Sequence, residues 1–248
     1  MLLSGAIRTL GRYMLLMQRV FTKPDNWRMF GRQFILEAQK LVIDSISIVC
    51  LISVFIGAVC VIQIVLNMGD AILPRYIIGY ATREILMLEF SSAVMCLILA
   101  GKIGSNIASE IGTMRITEQI DAMEIMGVNS ANFIILPKMM ALIVFMPILI
   151  VLSIGAGLVG AWAITWLTGE PPTQDFLDGL QTFFEPGHVY YSIEKGWFFA
   201  FLISSIASYC GYNVKGGALQ VGKASTQAVV TSSVLILLSD IVLTQLLL

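Results

Sequence analysis

The sequence predicts an all-α integral membrane protein, and three observations support that fold class. First, 57% of the 248 residues are hydrophobic and only 12% are charged, whereas a soluble domain carries about 25% charged residues. Second, several apolar runs reach the roughly 20 residues that a helix needs to cross a bilayer. Third, the N-terminal segment has the pattern of an amphipathic helix in the membrane interface. We therefore expect one interfacial helix and about five transmembrane helices.

Five apolar runs account for the expected transmembrane helices. The third run is longer than one crossing requires and contains Pro137 and Pro147, which predict an entry turn or a kink. Gly157 and Gly160 in the same run permit close helix packing within the chain. The fourth run has the shortest apolar core. The five spans are predicted at residues 46–66, 85–104, about 133–167, about 193–212 and 224–248.

The N-terminal stretch before these spans contains no acid as far as Val20 but several arginines. At 3.6 residues per turn, Arg8, Arg12 and Arg19 lie within about 40° of one another, opposite Leu, Ile and Met side chains. A secretory signal is the competing interpretation, but the arginines interrupt its apolar region and no small-residue cleavage site follows. We expect a single domain in which interfacial helices precede a transmembrane bundle. The domain covers residues 1–248, the interfacial helices 1–43 and the bundle 44–248.

Lysine and arginine residues are distributed unequally between the two sides of these spans. Of the 15 Lys and Arg residues, all but Arg75, Arg83 and Lys195 fall in the N-terminal segment, around the loop between spans two and three, or in the loop before span five. Cytoplasmic loops of membrane proteins carry an excess of these residues. We therefore expect a cytoplasmic N-terminus and a C-terminus on the outer side.

The stretch GGALQVGKAS, residues 216–225, resembles a phosphate-binding loop with one letter changed. From its second glycine it reads G-x-x-x-x-G-K, but Ala224 replaces the Ser or Thr whose hydroxyl ligates magnesium. A true phosphate-binding loop joins a strand to a helix, whereas apolar spans flank this stretch. We interpret the match as a coincidence and expect tight glycine turns in a cytoplasmic loop instead. The residues of this loop are Gly216, Gly217, Gly222 and Lys223.

Residues 113–127, TMRITEQIDAMEIMG, have the pattern of a short amphipathic helix on the cytoplasmic side, between spans two and three. Thr113 is a candidate N-cap, and Gly127 is a natural stop. Apolar residues recur on one helical face, and polar residues occupy the rest. On the residues alone, a surface helix against the bilayer and a contact element for a partner are both open. The apolar positions are Ile116, Ile120 and Met123, and the acidic positions are Glu118, Asp121 and Glu124.

Three stretches of the sequence resemble the MlaE family. They are AGKIGSNIASEIGTMRITEQIDAMEIMGVN at 100–129, followed by ILPKMMA; GGALQVGKASTQAVVTSSVLILLSDIVLT at 216–244; and VFIG at 54–57. Members of this family are permease subunits of ABC transporters that move phospholipids or other lipids between bacterial membranes. The resemblance therefore implies an inner-membrane permease that is not an enzyme.

The resemblance also implies partners. A separate ATPase would bind ATP and magnesium, an MCE-type protein would lie on the periplasmic side, and a second copy of the chain would help to enclose the lipid. In ABC permeases a cytoplasmic coupling helix docks in a groove of the ATPase. We expect that contact at Glu118, Asp121, Met123, Glu124 and Gly127, and charge reversal at the first two of these acids should release the ATPase.

Glu89 and Asp240 are acids inside apolar runs, where a charged residue costs about 2.5–3.5 kcal/mol at the helix centre. At about 1.5 Å per helical residue, both lie in the outer half of the membrane. One interpretation is structural: each acid is hydrated, or pairs with Arg83 or Lys195. The other is functional: Glu89 lines a cavity that opens outward and contacts a lipid head group or water.

The resemblance favours the functional interpretation of Glu89. The family places an acid here in its second span, commonly with a basic residue before it and Gly-Pro two positions after it. This chain has Leu88 and two serines at 91–92 instead, so the local helix geometry can differ. The other residues predicted for the substrate path are Leu86, Leu97 and Asp240.

Two further function classes compete with the permease. A proton-coupled carrier would use Glu89 and Asp240 as titrating groups, but the sequence has no internal inverted repeat. A membrane-embedded enzyme would need paired catalytic residues or metal ligands, yet His188 is the single histidine and the four cysteines have no C-x-x-C spacing. The net charge of −1 gives no argument for nucleic acid. We therefore expect a permease without a catalytic or metal site.

Overall fold

The computed structural model describes residues 2–23, 26–68 and 74–247, which form helices and no β-strand. The predicted all-α class is confirmed. Residues 24–25, within the expected interfacial region, and 69–73, in the first loop, lie outside the described residues. The helices are α1 (Leu2–Val20), α2 (Trp27–Met68), α3 (Tyr76–Ile116), α4 (Gln119–Ile125), α5 (Ser130–Thr168), α6 (Thr173–Gln181), α7 (Gly187–Tyr212) and α8 (Ala218–Leu247).

Four helices within the described ranges, α2, α3, α5 and α8, are long and apolar enough to cross a membrane. Helix α7 has 26 residues, but Glu194, Lys195 and several serines reduce its apolar character. The prediction of about five spans includes α7, and the insertion of this helix stays a prediction. The four longer and more apolar helices already indicate a multi-pass membrane protein.

The first two spanning helices begin earlier than hydropathy predicts. Helix α2 is helical from Trp27, so residues 27–43 and the first predicted span form one helix. The Asn26 side chain caps its start by accepting hydrogen bonds from two backbone amides. Helix α3 begins at Tyr76 rather than at residue 85. Polar residues in these extensions pair with other parts of the protein, and a hydropathy profile does not register such pairing.

Helix α5 contains both prolines of the third predicted span. It is helical from Ser130 through Pro137 and Pro147 to Thr168. The entry turn predicted there is absent from this described helix, which leaves the kink as the alternative. A proline removes one backbone hydrogen bond, and neighbouring helices in a membrane protein can satisfy the carbonyl that it frees.

The chain divides into two compact units, and each unit is built from three segments. Unit 1 comprises Met1–Ile43, Leu97–Phe145 and Phe199–Ser239. Unit 2 comprises Asp44–Cys96, Met146–Phe198 and Asp240–Leu248.

In unit 1, helix α1 presents three faces. One face packs on the protein: Tyr13 Oη donates a hydrogen bond of 2.9 Å to Ser205 Oγ, and neighbouring side chains of that face are buried. The sequence placed all the apolar residues of α1 opposite the arginines, but the structure divides them between this face and an exposed one. The buried face includes Leu16, Met17 and Val20, the exposed apolar face Ile7, Leu10 and Met14, and the basic face Arg8, Arg12 and Arg19.

In unit 2, helices α2 and α5 pack with their backbones in contact. A Cβ atom on Gly57 would overlap the carbonyl of Gly157, and one on Gly160 would overlap a backbone carbonyl of α2. Ser53 and Ser153 share a hydrogen bond of 2.9 Å between the same two helices. Close packing within the chain at Gly157 and Gly160 is therefore confirmed.

Gly57→Val is expected to prevent the accumulation of correctly folded protein. Overpacking an ordinary core costs about 1–3 kcal/mol, and here the added carbons meet a backbone that has no rotamer to change. The measurement is the yield of monodisperse protein in mild detergent, followed by thermal unfolding. Gly155→Val is the matched control, because a Cβ atom at Gly155 meets nothing within 4 Å. Equal yields of the two variants would contradict the prediction.

Candidate functional site

Three charged side chains meet in unit 2. Lys195 on α7 places its Nζ 3.2 Å from Glu89 Oε1 on α3 and 2.8 Å from Asp240 Oδ1 on α8. The ammonium group also lies 4.7 Å from the centre of the Tyr191 ring. We call Glu89, Lys195 and Asp240 the charged triad. It joins three helices that are far apart in the sequence.

The members of the charged triad differ in their exposure. The Lys195 side chain is 0% exposed and that of Asp240 is 16% exposed, whereas 41% of the Glu89 side chain is exposed. Burying an ammonium group away from water is tolerated only when a counter-charge compensates it. Asp240 supplies most of that compensation within the protein. Glu89 is therefore the member that can contact a ligand, with a positive charge held behind it.

Sequence reasoning named all three members, but Lys195 only as one of two possible partners of the acids. Pairing with Lys195 was one of the structural interpretations of Glu89 and Asp240, and the structure shows it. Lys195 was not included among the predicted residues of the substrate path. The signal was present, because Lys195 lies just inside the fourth predicted span, near the depth expected for both acids. Arg83, the other expected partner, pairs instead with Glu84 at 2.7 Å.

An apolar groove of about 420 Å³ lies in unit 2, and its wall includes the residue that follows Glu89 in the sequence. Phe90 and Ile85 of α3 form part of its wall. Gln63 and Asn67 are its polar residues, and the remaining lining is apolar. The other lining residues, all from α2, are Ile52, Phe55, Ile56, Val59, Cys60 and Ile64.

The other residues predicted for the substrate path occupy different environments. Leu86 is buried in unit 2, beside the position that a Cβ atom on Gly157 would take. Leu97 is only partly buried and belongs to unit 1. Glu89, with its exposed carboxylate, therefore directly precedes in α3 a residue that lines the apolar groove, while Leu86 is part of the packed interior.

The helix expected over residues 113–127 is shorter than predicted at its start. Helix α3 continues to Ile116, and the Thr113 hydroxyl donates to the Ser109 carbonyl at 2.8 Å. Thr113 as an N-cap is therefore wrong. The break falls at Glu118, whose φ of 59° is left-handed, a conformation that interrupts a right-handed helix. Helix α4 then covers only Gln119–Ile125.

The end of α4 agrees with the prediction for Gly127. Gly127 has a φ of 80°, which glycine adopts without a steric penalty. Its amide donates to the Glu124 carbonyl at 3.0 Å, and the Val128 amide donates to the Met123 carbonyl at 3.0 Å. This pair of hydrogen bonds is the Schellman motif that ends many helices. A side chain at Gly127 would strain this motif.

Two of the acids predicted to face a partner are engaged within unit 1. Asp121 Oδ1 lies 2.6 Å from Arg115 Nη1. Glu124 Oε1 accepts hydrogen bonds from Tyr212 at 2.9 Å and from Ser130 at 3.1 Å. These contacts attach α4 to α3, α5 and α7. The acids of α4 thus fix the orientation of the helix, while Glu118 at the break remains exposed.

Sequence reasoning included Met123 in this surface but missed its most exposed apolar residues. Ile125 is 87% exposed and Met126 is 70% exposed, although Ile120 on the same segment is fully buried. Met123 and Met126 also line an apolar groove of about 380 Å³ with Phe30 and neighbouring residues. The sequence did contain a signal for them: Ile125 and Met126 are adjacent apolar residues that do not fit the helical spacing of the buried face. We call Ile125, Met126 and this groove the α4 surface.

The glycine-containing loop is shorter than predicted. Gly216 has a φ of 113°, so a turn at Gly216 and Gly217 is confirmed. Helix α8 begins at Ala218, so Gly222 and Lys223 are exposed helical residues; placing them in a turn is wrong. Most residues around them favour a helix, and one exposed glycine costs only about 1 kcal/mol. The letters that resemble a phosphate-binding loop therefore lie mainly in a helix.

A second charged network lies in unit 1. The Lys138 ammonium is buried and lies 2.5 Å from Glu37 Oε1 and 3.0 Å from Glu110 Oε2. Lys40 Nζ lies 2.7 Å from the same Glu110 oxygen. The network joins α2, α3 and α5. In the sequence, these lysines were recognised only as charges on the cytoplasmic side.

Comparisons with known proteins agree with the resemblance seen in the sequence. A family model described as "Permease MlaE" matches residues 34–246. A probable ABC transporter permease protein of Rickettsia bellii is 32% identical over 206 residues, which cover 82% of this chain and 78% of the relative. One of Rickettsia prowazekii is 33% identical over 204 residues, with the same coverage. One of Synechocystis is 31% identical over 205 residues, covering 79% and 74%.

Proposed function

Because this chain belongs to the MlaE permease family, and is thus an ABC transporter permease, we propose that it moves phospholipids or similar lipids between the inner and outer membranes of a bacterium. One observation carries this proposal: Glu89, whose side chain is 41% exposed, directly precedes in the chain Phe90, which lines an apolar groove of about 420 Å³. An amphiphile needs polar contact for its head group and an apolar wall for its chains.

In this proposal the charged triad handles the polar end of the lipid. Glu89 is the exposed member and contacts the head group or its water, while Lys195 and Asp240 remain buried behind it. A carboxylate with an ammonium group behind it can accept from an amine or hydroxyl of the head group without leaving a net charge of −2 in the site. No covalent chemistry is involved.

Energy comes from a partner, since a permease of this class works with a separate ATPase that binds ATP and magnesium. The α4 surface is the proposed contact. Exposed apolar residues such as Ile125 and Met126 suit insertion into a groove of the ATPase. The hydrogen bonds of Glu124 to Tyr212 and Ser130 then transmit movement of α4 to α7 and α5. Alternating access follows when these helices rearrange.

The remaining assignments concern membrane, orientation and assembly. The distribution of Lys and Arg supports an inner-membrane protein with a cytoplasmic N-terminus and a periplasmic C-terminus. An MCE-type protein is the proposed periplasmic partner. A second copy of the chain is proposed to pack on α8, where Thr226 and Gln227 are exposed beside apolar residues. Polar side chains on a membrane helix commonly mark contacts with another helix.

The test is reconstitution of the permease with its ATPase and periplasmic partner between donor and acceptor liposomes. We expect lipid transfer that requires ATP, and about a tenfold loss of transfer in Glu89→Gln with the complex intact, since a neutral amide loses one charge-assisted contact of about 1.5–2 kcal/mol. Glu185→Gln is the matched control, because Glu185 is an exposed outer-side carboxylate of the same unit. Transfer driven by a pH gradient without nucleotide would support the carrier instead.

A further inference from the structure

The basic face of α1 lines a distinct groove in unit 1. Arg12 and Arg19 contribute its charged side chains, and Tyr212 and Asn213 form the opposite wall. Leu15 and Leu16 complete the lining, and the volume is about 300 Å³. The described lining contains no carboxylate. We call this cavity the arginine groove.

Helix α1 is held in place by polar contacts on its protein-facing side. Tyr209 Oη donates to the Thr9 carbonyl at 3.4 Å, and the Tyr13 and Tyr209 rings meet edge to face with centroids 5.7 Å apart. At the other end, Asn129 Nδ2 donates to the Arg19 carbonyl at 3.0 Å. The backbone beneath the two groove arginines is therefore positioned before any ligand binds, which reduces the entropy lost on binding.

A third face of α1 places the helix at a membrane surface. Ile7, Leu10 and Met14 are all more than half exposed and recur at the i, i+3, i+7 spacing of one helical stripe. An exposed apolar stripe beside a basic stripe is the pattern of a helix lying at the boundary of head groups and acyl chains. The arginines then lie at the level of lipid phosphates.

We propose that the arginine groove binds the phosphate of an anionic phospholipid from the leaflet in which α1 lies. Arg12 and Arg19 stand about 10.5 Å apart along the helix, and their long side chains approach a phosphate from both ends of the groove. A guanidinium group matches phosphate oxygens with paired hydrogen bonds. Leu15, which is exposed, contacts the apolar part of the lipid.

The arginine groove is adjacent to the elements that hold α4. Its wall residue Tyr212 donates to Glu124 of α4 at 2.9 Å, and the Arg115 guanidinium lies 5.9 Å from the centre of the same ring. A lipid packed on Tyr212 therefore restrains the side chain that positions α4. An effect of this restraint on coupling to the ATPase rests on the proposed role of α4, whereas the binding of lipid in the arginine groove does not.

The experiment is native mass spectrometry of the detergent-purified permease titrated with phosphatidylglycerol. Arg12→Gln/Arg19→Gln is expected to raise the dissociation constant of the retained lipid about 30-fold, since glutamine keeps the helix but removes both charges. Arg8→Gln is the matched control, because Arg8 shares the basic face but does not line the groove. Arg8→Gln is expected to change the dissociation constant less than threefold. Phosphatidylcholine with the same chains is expected to bind weakly.

Each other outcome would overturn the proposal. Unchanged phosphatidylglycerol retention in the double variant would show that the arginines do not form the binding site. Equal retention of phosphatidylcholine would show that the groove binds lipid only through its apolar lining. Competition by glycerol phosphate at equal concentration would mark a site for soluble anions. Unchanged lipid retention in the double variant, together with failure of that variant to co-purify with the ATPase, would make the arginines a protein contact. Because the titration requires neither ATP nor transport, its failure is distinct from a failure of the lipid-transfer proposal.

Discussion

Lys195→Met is expected to abolish ATP-dependent lipid transfer and to reduce the amount of folded permease sharply. The substitution leaves Asp240 buried at 16% exposure without the ammonium group 2.8 Å away. Removing one partner of a buried ion pair typically costs about 3–5 kcal/mol, because the remaining charge is uncompensated. That cost is a large share of the total stability of an ordinary domain. The measurements are monodisperse yield, thermal unfolding in detergent and lipid transfer.

A triple variant separates structure from transport. Glu89→Gln/Lys195→Met/Asp240→Asn has no charge left to compensate, so we expect folded yield to recover toward the wild-type level. Lipid transfer should remain at least tenfold below the wild-type rate, because the exposed carboxylate is absent. If the triple variant transfers lipid at the wild-type rate, the charged triad is a structural group only. If Lys195→Met alone folds and transports normally, the proposed burial cost is wrong.

Ile125→Gln/Met126→Gln is expected to release the ATPase while the permease remains folded. Both side chains are largely exposed in the chain by itself, so replacing them with glutamine removes little internal packing. Burying each one against a partner contributes about 1.5–3 kcal/mol. Losing both should weaken the association at least 100-fold. Co-purification from mild detergent, followed by ATPase activity of the complex, measures the effect.

The control for the α4 surface is Ile35→Gln, which changes a comparably exposed apolar residue on α2 that does not line the α4 groove. It should leave the association unchanged. Undiminished ATPase co-purification with Ile125→Gln/Met126→Gln would show that the contact lies elsewhere. Glu118→Lys is the cleaner charge reversal, since Asp121 is paired with Arg115 and its reversal would also disturb α4 itself.

The sequence alone could predict properties that depend on one residue at a time or on short spacing. The transfer free energy of each side chain adds along an apolar run, which is why α2, α3, α5 and α8 were located without coordinates. The end of a helix can also be a local property, because one residue that adopts a left-handed conformation is enough to stop it. Gly127 was therefore recognised as a helix stop. The stretches around 100–129 and 216–244 sufficed for the family, because they are contiguous.

Helix ends were harder to predict because pairing decides them. Hydropathy treats Lys40 and Glu110 as residues that belong outside a span, yet in the structure they lie 2.7 Å apart on two long helices of unit 1. Once paired, such residues let a helix continue past the apolar run. The same reason explains why the predicted starts of α2 and α3 were too late.

Composition and the length of apolar runs determined the class of this protein, and contiguous motifs determined its family. Each of these can be read from neighbouring residues without knowledge of the fold. Only the tertiary structure decided which polar residues act together. Lys195 and Glu89 are 106 positions apart in the chain, and no local pattern encodes a contact across that separation. Exposure is likewise a property of the packed chain: Ile120 and Ile125 are the same residue type on one short segment, and folding buries the first and leaves the second exposed.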